Sequence, residues 1–183
     1  MSGNTYKPKL DVSDWQLTKE SEYEQILSII SPELHTFVAE HAQLGKKMDQ
    51  VRAGYSEKAY ADALKSIGEE LDQHFCYEEE FILPRLGHHI LSREAGPIKK
   101  LIQEHQVIRN RYAEALELYP QRDEESVRDL FIQKMNLLAY LLKKHIEKED
   151  HYFFPMVSLI LNEQEKAEIA ALVKRETAAS QRV

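Results

Sequence analysis

The chain has 183 residues, of which 43% are hydrophobic and 30% are charged, and its net charge is −7. This length suits one domain with a substantial core, and the apolar fraction excludes a disordered chain. A negative chain without a basic, aromatic-rich run argues against nucleic acid as a partner.

Cysteine content and hydropathy limit the setting of the protein. Cys76 is the only cysteine, so an internal disulfide is excluded, and we expect a buried, inert thiol there. No stretch of the chain approaches the ~20 apolar residues of a membrane span. Residues 1–10 lack the apolar core of a signal peptide. We therefore expect a soluble, cytoplasmic protein with no membrane contact.

The first segment of the chain is the least regular. Residues 1–30 contain Trp15 and an apolar cluster from Ile26 to Ile30, which predicts a packed N-terminal arm with a short helix. Beyond this arm, apolar residues recur at steps of three and four, and no segment alternates as a strand does. Scarce glycine and proline also favour helix.

Four long helices, each of roughly 20 to 30 residues, are predicted after the arm. The first begins at Ser31-Pro32, with Ser31 as cap, and ends at Gly54, and the second runs from Ser56 to Leu83-Pro84 with Gly87. The third runs from Gly96-Pro97 to Tyr119-Pro120, and the fourth from Asp123, as cap, to just before Pro155. Asn162 and Glu165 match a capping box, which predicts a short final helix. The elements predict an all-α fold: an up-down-up-down four-helix bundle over residues 31–157, followed by a C-terminal helix and tail over 158–183.

Each long helix carries a stripe of residues expected to face the bundle axis. The four stripes are Leu34, Phe37, Val38, His41, Leu44 and Met48; Leu64, Ile67, Leu71, His74, Glu78 and Phe81; Ile98, Leu101, His105, Ile108 and Tyr112; and Met135, Leu138, Leu142, His145, Glu149 and Tyr152. Six stripe positions carry imidazole or carboxylate groups: His41, His74, Glu78, His105, His145 and Glu149. A buried ionised carboxylate costs several kcal/mol unless a partner or a cation neutralises it. We interpret these six residues as metal ligands.

The six positions form a repeat, and the repeat is what makes the pattern specific. Each of two helix hairpins supplies a lone histidine, then a His-x-x-x-Glu pair, then an aromatic-rich segment with proline ten residues after the histidine. The two members of a pair share one helix face. One such pair is expected by chance, and a lone core histidine is usually hydrogen bonded rather than metal bound. Two matching hairpins predict a metal cage with pseudo-twofold symmetry.

The donor types indicate the metal. Imidazole and carboxylate groups, without thiolate and with more than four donors, favour iron or manganese over structural zinc. Two carboxylates between two pairs of histidines are positioned to bridge two ions. The ferritin-like Glu-x-x-His arrangement is disfavoured, because no histidine has a glutamate three residues before it.

At these residues the sequence resembles a hemerythrin-like domain, also called the HHE cation-binding domain, over roughly residues 31–157. The resemblance implies a four-helix bundle with two iron ions in an oxo- or hydroxo-bridged centre, manganese or zinc being less favoured. It also implies that the two glutamates bridge the irons and that the histidines cap them. Members bind dioxygen or nitric oxide, sense iron or redox state, or assist iron–sulfur repair.

Two positions depart from the pattern of the oxygen-carrying hemerythrins. Arg109 stands where they have a fifth histidine, which implies an open coordination position, and we expect Arg109 to point outward. They also have aspartate five residues after the last histidine, where this chain has Asp150 next to Glu149. On a regular helix Glu149 lies about 40° from His145 and Asp150 about 140° away, so we expect Glu149 to bind the metal unless a π-bulge intervenes.

Several residues outside the six have an expected or an open role. We expect surface, packing or turn positions for His35, His88, His89 and His151 and solvated positions for Glu79 and Glu80. Tyr112 and Tyr152 are either core aromatics or hydrogen-bond donors to a bound oxygen species. Glu40 and Glu104 are either exposed flanks, the favoured interpretation, or acceptors for an imidazole N–H.

Three functional hypotheses follow, and the sequence leaves open whether the protein is an enzyme. The first is a di-iron protein that binds or senses a diatomic gas, iron or redox state, with a protein partner for signal output. The second is a di-iron enzyme that reduces peroxide or nitric oxide, or an iron donor for iron–sulfur repair. The third is a helical interaction module without metal.

Overall fold

The computed structural model describes residues 20–90 and 96–180, and every regular element in them is helical. Trp15 and the rest of the predicted arm before residue 20 lie outside the described residues. The α-helices are α1 (Glu20–Ile29), α2 (His35–Ala53), α3 (Glu57–Asp72), α4 (His74–Tyr77), α5 (Leu83–His89), α6 (Pro97–Leu118), α7 (Glu125–Lys148), α8 (Phe154–Ile160) and α9 (Glu163–Ser180). The predicted all-α bundle is confirmed. None of these helices is long and apolar enough to cross a membrane.

The core consists of two apolar clusters, and the polar stripe positions lie between them along each long helix. On α2, for example, Phe37 and Val38 belong to one cluster and Leu44 and Met48 to the other, with His41 between them. All predicted stripe residues are buried except Phe81, Tyr112 and Tyr152. Helical periodicity therefore identified most of the core correctly.

Two π turns interrupt helices that the sequence pattern predicted to be regular. The first spans Glu78–Ile82 and the second Glu149–Phe153, so each begins at the glutamate of a His-x-x-x-Glu pair. A π turn contains one residue more than a regular turn, which rotates the side chains that follow it. This rotation explains why Tyr152 is 53% exposed and Phe81 only half-buried, contrary to the prediction.

The same π turns explain why two prolines do not end their helices as predicted. Pro84 and Pro155 each lie in the first turn of a new α segment, α5 and α8, where the missing backbone N–H needs no partner. The chain therefore continues as helix to residues 89 and 160. His88 and His89, predicted in a turn, lie in the last turn of α5 and are exposed, and His89 pairs with Glu165 at 2.9 Å.

Helix capping follows the sequence in part. Ser31 does not cap the helix that follows it, since its hydroxyl accepts a hydrogen bond from Lys166 Nζ at 3.1 Å. The cap position of α7 is Glu124 rather than Asp123. The capping box before α9 is present: Asn162 N–H donates to Glu165 Oε2 at 2.9 Å, and Glu165 N–H donates to Asn162 Oδ1 at 3.0 Å. With 18 residues, α9 is longer than the short helix predicted.

We predict that Asn162→Ala lowers the free energy of unfolding by about 1 kcal/mol, because an N-terminal N–H of α9 loses its acceptor. Urea unfolding followed by circular dichroism measures this change. Asn162→Ser, which keeps a capping oxygen, should recover most of the loss. A full loss in the serine variant would contradict the capping role.

Candidate metal centre

The six polar stripe positions meet in one buried cluster between the two apolar clusters. Each of them is at most 2% exposed. His41 lies on α2 and His105 on α6. His74 begins α4 and Glu78 begins the first π turn, while His145 lies in the last turn of α7 and Glu149 begins the second π turn. The structure thus brings together every residue that the repeat selected, and we call this set the donor cluster.

The atoms of the donor cluster form two overlapping groups. One group holds one atom each from Glu78, His105, His145 and Glu149, and all of these atoms lie within 4.8 Å of one another. The other group holds one atom each from His41, His74 and Glu149. Glu149 belongs to both groups.

Each buried glutamate reaches histidines on both sides of the cluster. Glu78 Oε1 lies 3.2 Å from His74 Nε2, and its Oε2 lies 3.2 Å from His105 Nε2. Glu149 Oε2 lies 3.1 Å from His41 Nε2, and its Oε1 lies 2.9 Å from His145 Nε2. Each of the two carboxylates thus faces two different imidazoles.

The hydrogen bonding of these nitrogen and oxygen atoms shows whether the cluster fits a metal. None of the four Nε2 atoms and none of the four glutamate oxygens has a hydrogen-bond partner, although all are buried. The nitrogen and oxygen atoms lie only 2.9–3.2 Å apart across the cluster. Unpaired buried polar atoms are costly, and nitrogen and carboxylate oxygen are what iron or manganese binds. The donor cluster therefore fits metal cations.

The opposite ring nitrogen of each histidine is held by a carboxylate. The four Nδ1–carboxylate pairs are His41 with Asp150 at 2.7 Å, His74 with Glu40 at 2.9 Å, His105 with Glu79 at 2.7 Å, and His145 with Glu104 at 3.3 Å. An ionised carboxylate only accepts, so each Nδ1 carries the proton and donates it. When a ring loses its second proton, the lone pair of Nε2 is therefore the one directed into the cluster, as metal binding requires.

These carboxylates correct three expectations from the sequence. Glu40 and Glu104, favoured as plain exposed flanks, each hold a histidine of their own hairpin. Glu79, expected to be solvated, holds His105 of the other hairpin. The sequence contains a signal for these carboxylates. In each hairpin one directly precedes the lone histidine, as Glu40 and Glu104 do, and one directly follows the glutamate of the pair, as Glu79 and Asp150 do.

The second π turn contains both of the adjacent acidic residues near His145, and their side chains lie on different sides of His41. The turn begins at Glu149, so Glu149 keeps its place one regular turn after His145, with both oxygens in the donor cluster. Asp150, which is 4% exposed, is carried to the far side of His41 and accepts from its Nδ1. The π-bulge thus gives both acidic residues a role instead of exchanging one for the other.

Arg109 neither joins the donor cluster nor points freely outward. Its guanidinium donates to Glu79 Oε1 at 2.7 Å and to Oε2 at 3.1 Å, and it lies 5.5 Å from the ring centroid of Phe75. Since Glu79 in turn accepts from His105, Arg109 fixes the carboxylate that orients a donor histidine. It supplies no donor atom of its own to the cluster.

The electrostatics of the donor cluster favour protonated histidines when no metal is bound. Burial by itself lowers the pKa of His41, but Asp150 and Glu149 raise it to about 10. Burial likewise lowers the pKa of His105, and Glu149, Glu78 and Glu79 raise it to about 11. A metal must therefore displace protons from these rings.

Glu70 is a site residue that the sequence analysis missed. It is 8% exposed and lies one turn before His74 on α3. Its Oε1 lies 3.4 Å from His74 Nδ1 and 3.9 Å from His41 Nε2, and has no hydrogen-bond partner. Its spacing from His74 was a signal, but a glutamate next to the buried Leu71 was not distinguishable from a surface residue.

The remaining candidates lie outside the donor cluster. His35 Nε2 donates to the backbone oxygens of Leu27 and Ile30 at 3.0 and 2.9 Å, a packing role as expected. Tyr112 is half-buried and packs against an apolar cluster. Cys76 is half-buried rather than buried, and burial raises the pKa of its thiol, which disfavours reactivity. His151 is half-buried and belongs to neither donor group.

Comparison with known families agrees with this geometry. A sequence profile of the family described as the hemerythrin HHE cation binding domain matches residues 33–157, well over half of the chain. All six residues of the donor cluster and the four carboxylates that hold their Nδ1 atoms lie inside the matched segment. A search of curated proteins finds no match.

We predict that the metal-free protein loses stability as the pH rises. Histidines whose pKa is higher in the folded chain than the ordinary 6.5 stabilise it fully below that value, and this contribution disappears as the pH rises to about 10 for His41 and about 11 for His105. Urea unfolding in the presence of a chelator, at a series of pH values, measures the decline.

The matched variant for this prediction is His105→Gln, which removes one of the histidines with a raised pKa. Its free energy of unfolding should fall less steeply between pH 7 and 10 than that of the unmodified chain. His35→Gln, which changes a histidine for which the structure gives no contact with a carboxylate, should leave the slope unchanged. Identical slopes in all three chains would refute the assigned protonation.

Proposed function

Because the chain belongs to the hemerythrin HHE cation-binding domain family, we propose that it binds two iron ions in the donor cluster. The ligands in this proposal are His41, His74, Glu78, His105, His145 and Glu149. The observation that carries it is the set of eight buried Nε2 and carboxylate oxygen atoms without hydrogen-bond partners. A cation is the group that satisfies all eight at once.

In this proposal the two glutamates bridge the ions. Glu78 and Glu149 each face one histidine from each side of the cluster, which supports a bridging role. His41 and His74 then complete one ion and His105 and His145 the other, as in the two groups of donor atoms. The all N/O donor set favours iron or manganese over structural zinc.

We further propose that the protein uses this centre to bind or sense a small molecule. Ferrous ions held by nitrogen and carboxylate donors supply electrons and open coordination positions to dioxygen, nitric oxide or peroxide. The chain's own contribution is orientation and exclusion of water. The carboxylates on the Nδ1 atoms fix the orientation of the rings. The ring of Phe75 stacks on that of His105, with 3.7 Å between centroids, while Phe37 packs on His74 and Phe154 packs on His41.

The ligand assignment predicts different effects for the two adjacent acidic residues. Glu149→Ala should lose at least one metal ion per chain, because both groups of donors lose an oxygen. Asp150→Asn should keep two ions at saturating iron but weaken their affinity about ten- to a hundredfold, since His41 Nδ1 then faces a neutral amide in place of a carboxylate. Elemental analysis and iron titration measure both effects.

The control for this pair is His35→Gln, which should leave metal content unchanged, since His35 hydrogen bonds to the backbone oxygens of Leu27 and Ile30 and belongs to neither donor group. Equal loss of metal from Glu149→Ala and Asp150→Asn would contradict the assignment. Near-ultraviolet absorption bands of an oxygen-bridged iron pair, present in the wild-type chain and absent in Glu149→Ala, would support it further.

A kinetic experiment distinguishes binding or sensing from catalysis. The reduced, iron-loaded protein is mixed in a stopped-flow instrument with dioxygen, nitric oxide or hydrogen peroxide in separate runs. We expect an adduct that persists or decays slowly with at least one of them. Sustained consumption of peroxide or nitric oxide over many turnovers would instead establish a reductase, the second hypothesis from the sequence.

A further inference from the structure

A pocket between α2 and α3 lies beside the donor cluster. The pocket has a volume of about 230 Å³. Its buried lining includes Glu70 and His74, and its exposed lining includes Glu40, Gln43 and Glu69. The ring of His74 separates the pocket from the donor cluster, because Nδ1 faces Glu40 and Glu70 while Nε2 faces Glu78.

The other three histidines are fixed more firmly than His74. The carboxylate of Glu79, which holds His105, is clamped by both guanidinium nitrogens of Arg109. Glu104, which holds His145, also accepts from Lys148 Nζ at 2.5 Å. Asp150, which holds His41, is itself buried.

The carboxylate of Glu40, which holds His74, has no such support. The side chain of Glu40 is 47% exposed, and within the described residues no lysine or arginine pairs with it. Glu40 is therefore the most exposed of the four carboxylates that hold an Nδ1. Movement of Glu40 would allow the ring to turn and connect the pocket with the donor cluster.

The charge of the pocket suits a cation. Three carboxylates line it, those of Glu40, Glu69 and Glu70, against the ammonium group of Lys47 and the ring of His74, so carboxylates still outnumber cationic groups. Glu70 Oε1 is buried, lacks a hydrogen-bond partner and lies 3.9 Å from His41 Nε2 on the cluster side. An unpaired, buried carboxylate oxygen between a negative pocket and a donor histidine is positioned to bind a divalent cation in transit.

We propose that this pocket is the route by which a divalent cation reaches the donor cluster, and that Glu70 binds the cation on its way past His74. The proposal rests on the proposed function, since it assumes that the cluster binds metal. Glu70 here acts on the rate of loading, whereas the six cluster residues determine how much metal is held at the end.

The test follows the rate of metal uptake by the full metal-free chain. Cobalt(II) is the probe, because its visible absorption reports nitrogen and oxygen coordination, and stopped-flow mixing gives the rate while elemental analysis gives the final content. Glu70→Gln keeps the shape of the side chain and should slow uptake about tenfold with an unchanged final content. Glu117→Gln, an exposed carboxylate on α6, is the matched control and should load at the wild-type rate.

A second pair of variants changes the charge of the pocket without removing a carboxylate. Gln43 is exposed in the lining, so Gln43→Lys should slow uptake and Gln43→Glu should accelerate it, each by about threefold. Both effects should shrink as ionic strength rises, because salt screens charges at an exposed site.

The outcomes separate this proposal from the one on which it rests. If the wild-type chain binds no cobalt or iron, the proposed function fails and the route fails with it. If the wild-type chain binds two ions but the Glu70 and Gln43 variants load at its rate, only the route is overturned. If Glu70→Gln ends with fewer ions than the wild type, Glu70 is a ligand and the route is likewise overturned.

Discussion

The structure depends on burying two carboxylates and four imidazoles between two apolar clusters with their inner atoms unpaired. In water-free surroundings such groups cost several kcal/mol each unless an opposite charge is close. The histidine pKa values show the response of the metal-free chain, since protons on the rings supply the positive charge that Glu78 and Glu149 need. In the proposed function, cations in place of these protons satisfy the same constraint and bind the eight inner donor atoms.

The carboxylates on the outer ring nitrogens extend this constraint through the fold. Glu40 and Glu104 each hold a histidine within one hairpin, whereas Glu79 and Asp150 each hold a histidine of the opposite hairpin. The two hairpins are therefore joined through the site itself as well as through apolar packing. Where the oxygen carriers of the family are expected to have another histidine, Arg109 instead strengthens one of these cross-links through Glu79.

The pseudo-symmetry of the hairpins is broken at the flank of His74. Arg109 and Lys148 stabilise the second hairpin's side of the cluster, and the corresponding support for Glu40 is missing among the described residues. The pocket and the buried Glu70 lie on this weaker side. The proposed route for a cation therefore lies where the supporting ion pairs are fewest, and local differences in stability of this kind are where access is expected.

The sequence by itself determined the helical class, the buried stripes and all six members of the donor cluster, because helical periodicity and side-chain chemistry are local properties that spacing records. It did not determine where the helices end near Pro84 and Pro155 or that Tyr152 faces solvent, since both depend on π turns that the pattern does not encode. Only the tertiary structure decided which carboxylate holds which histidine, and that Glu149 and Asp150 act on different sides of His41. Those pairings join residues about 26 to 109 positions apart, so they depend on how the hairpins pack and cannot be read from the spacing along one helix.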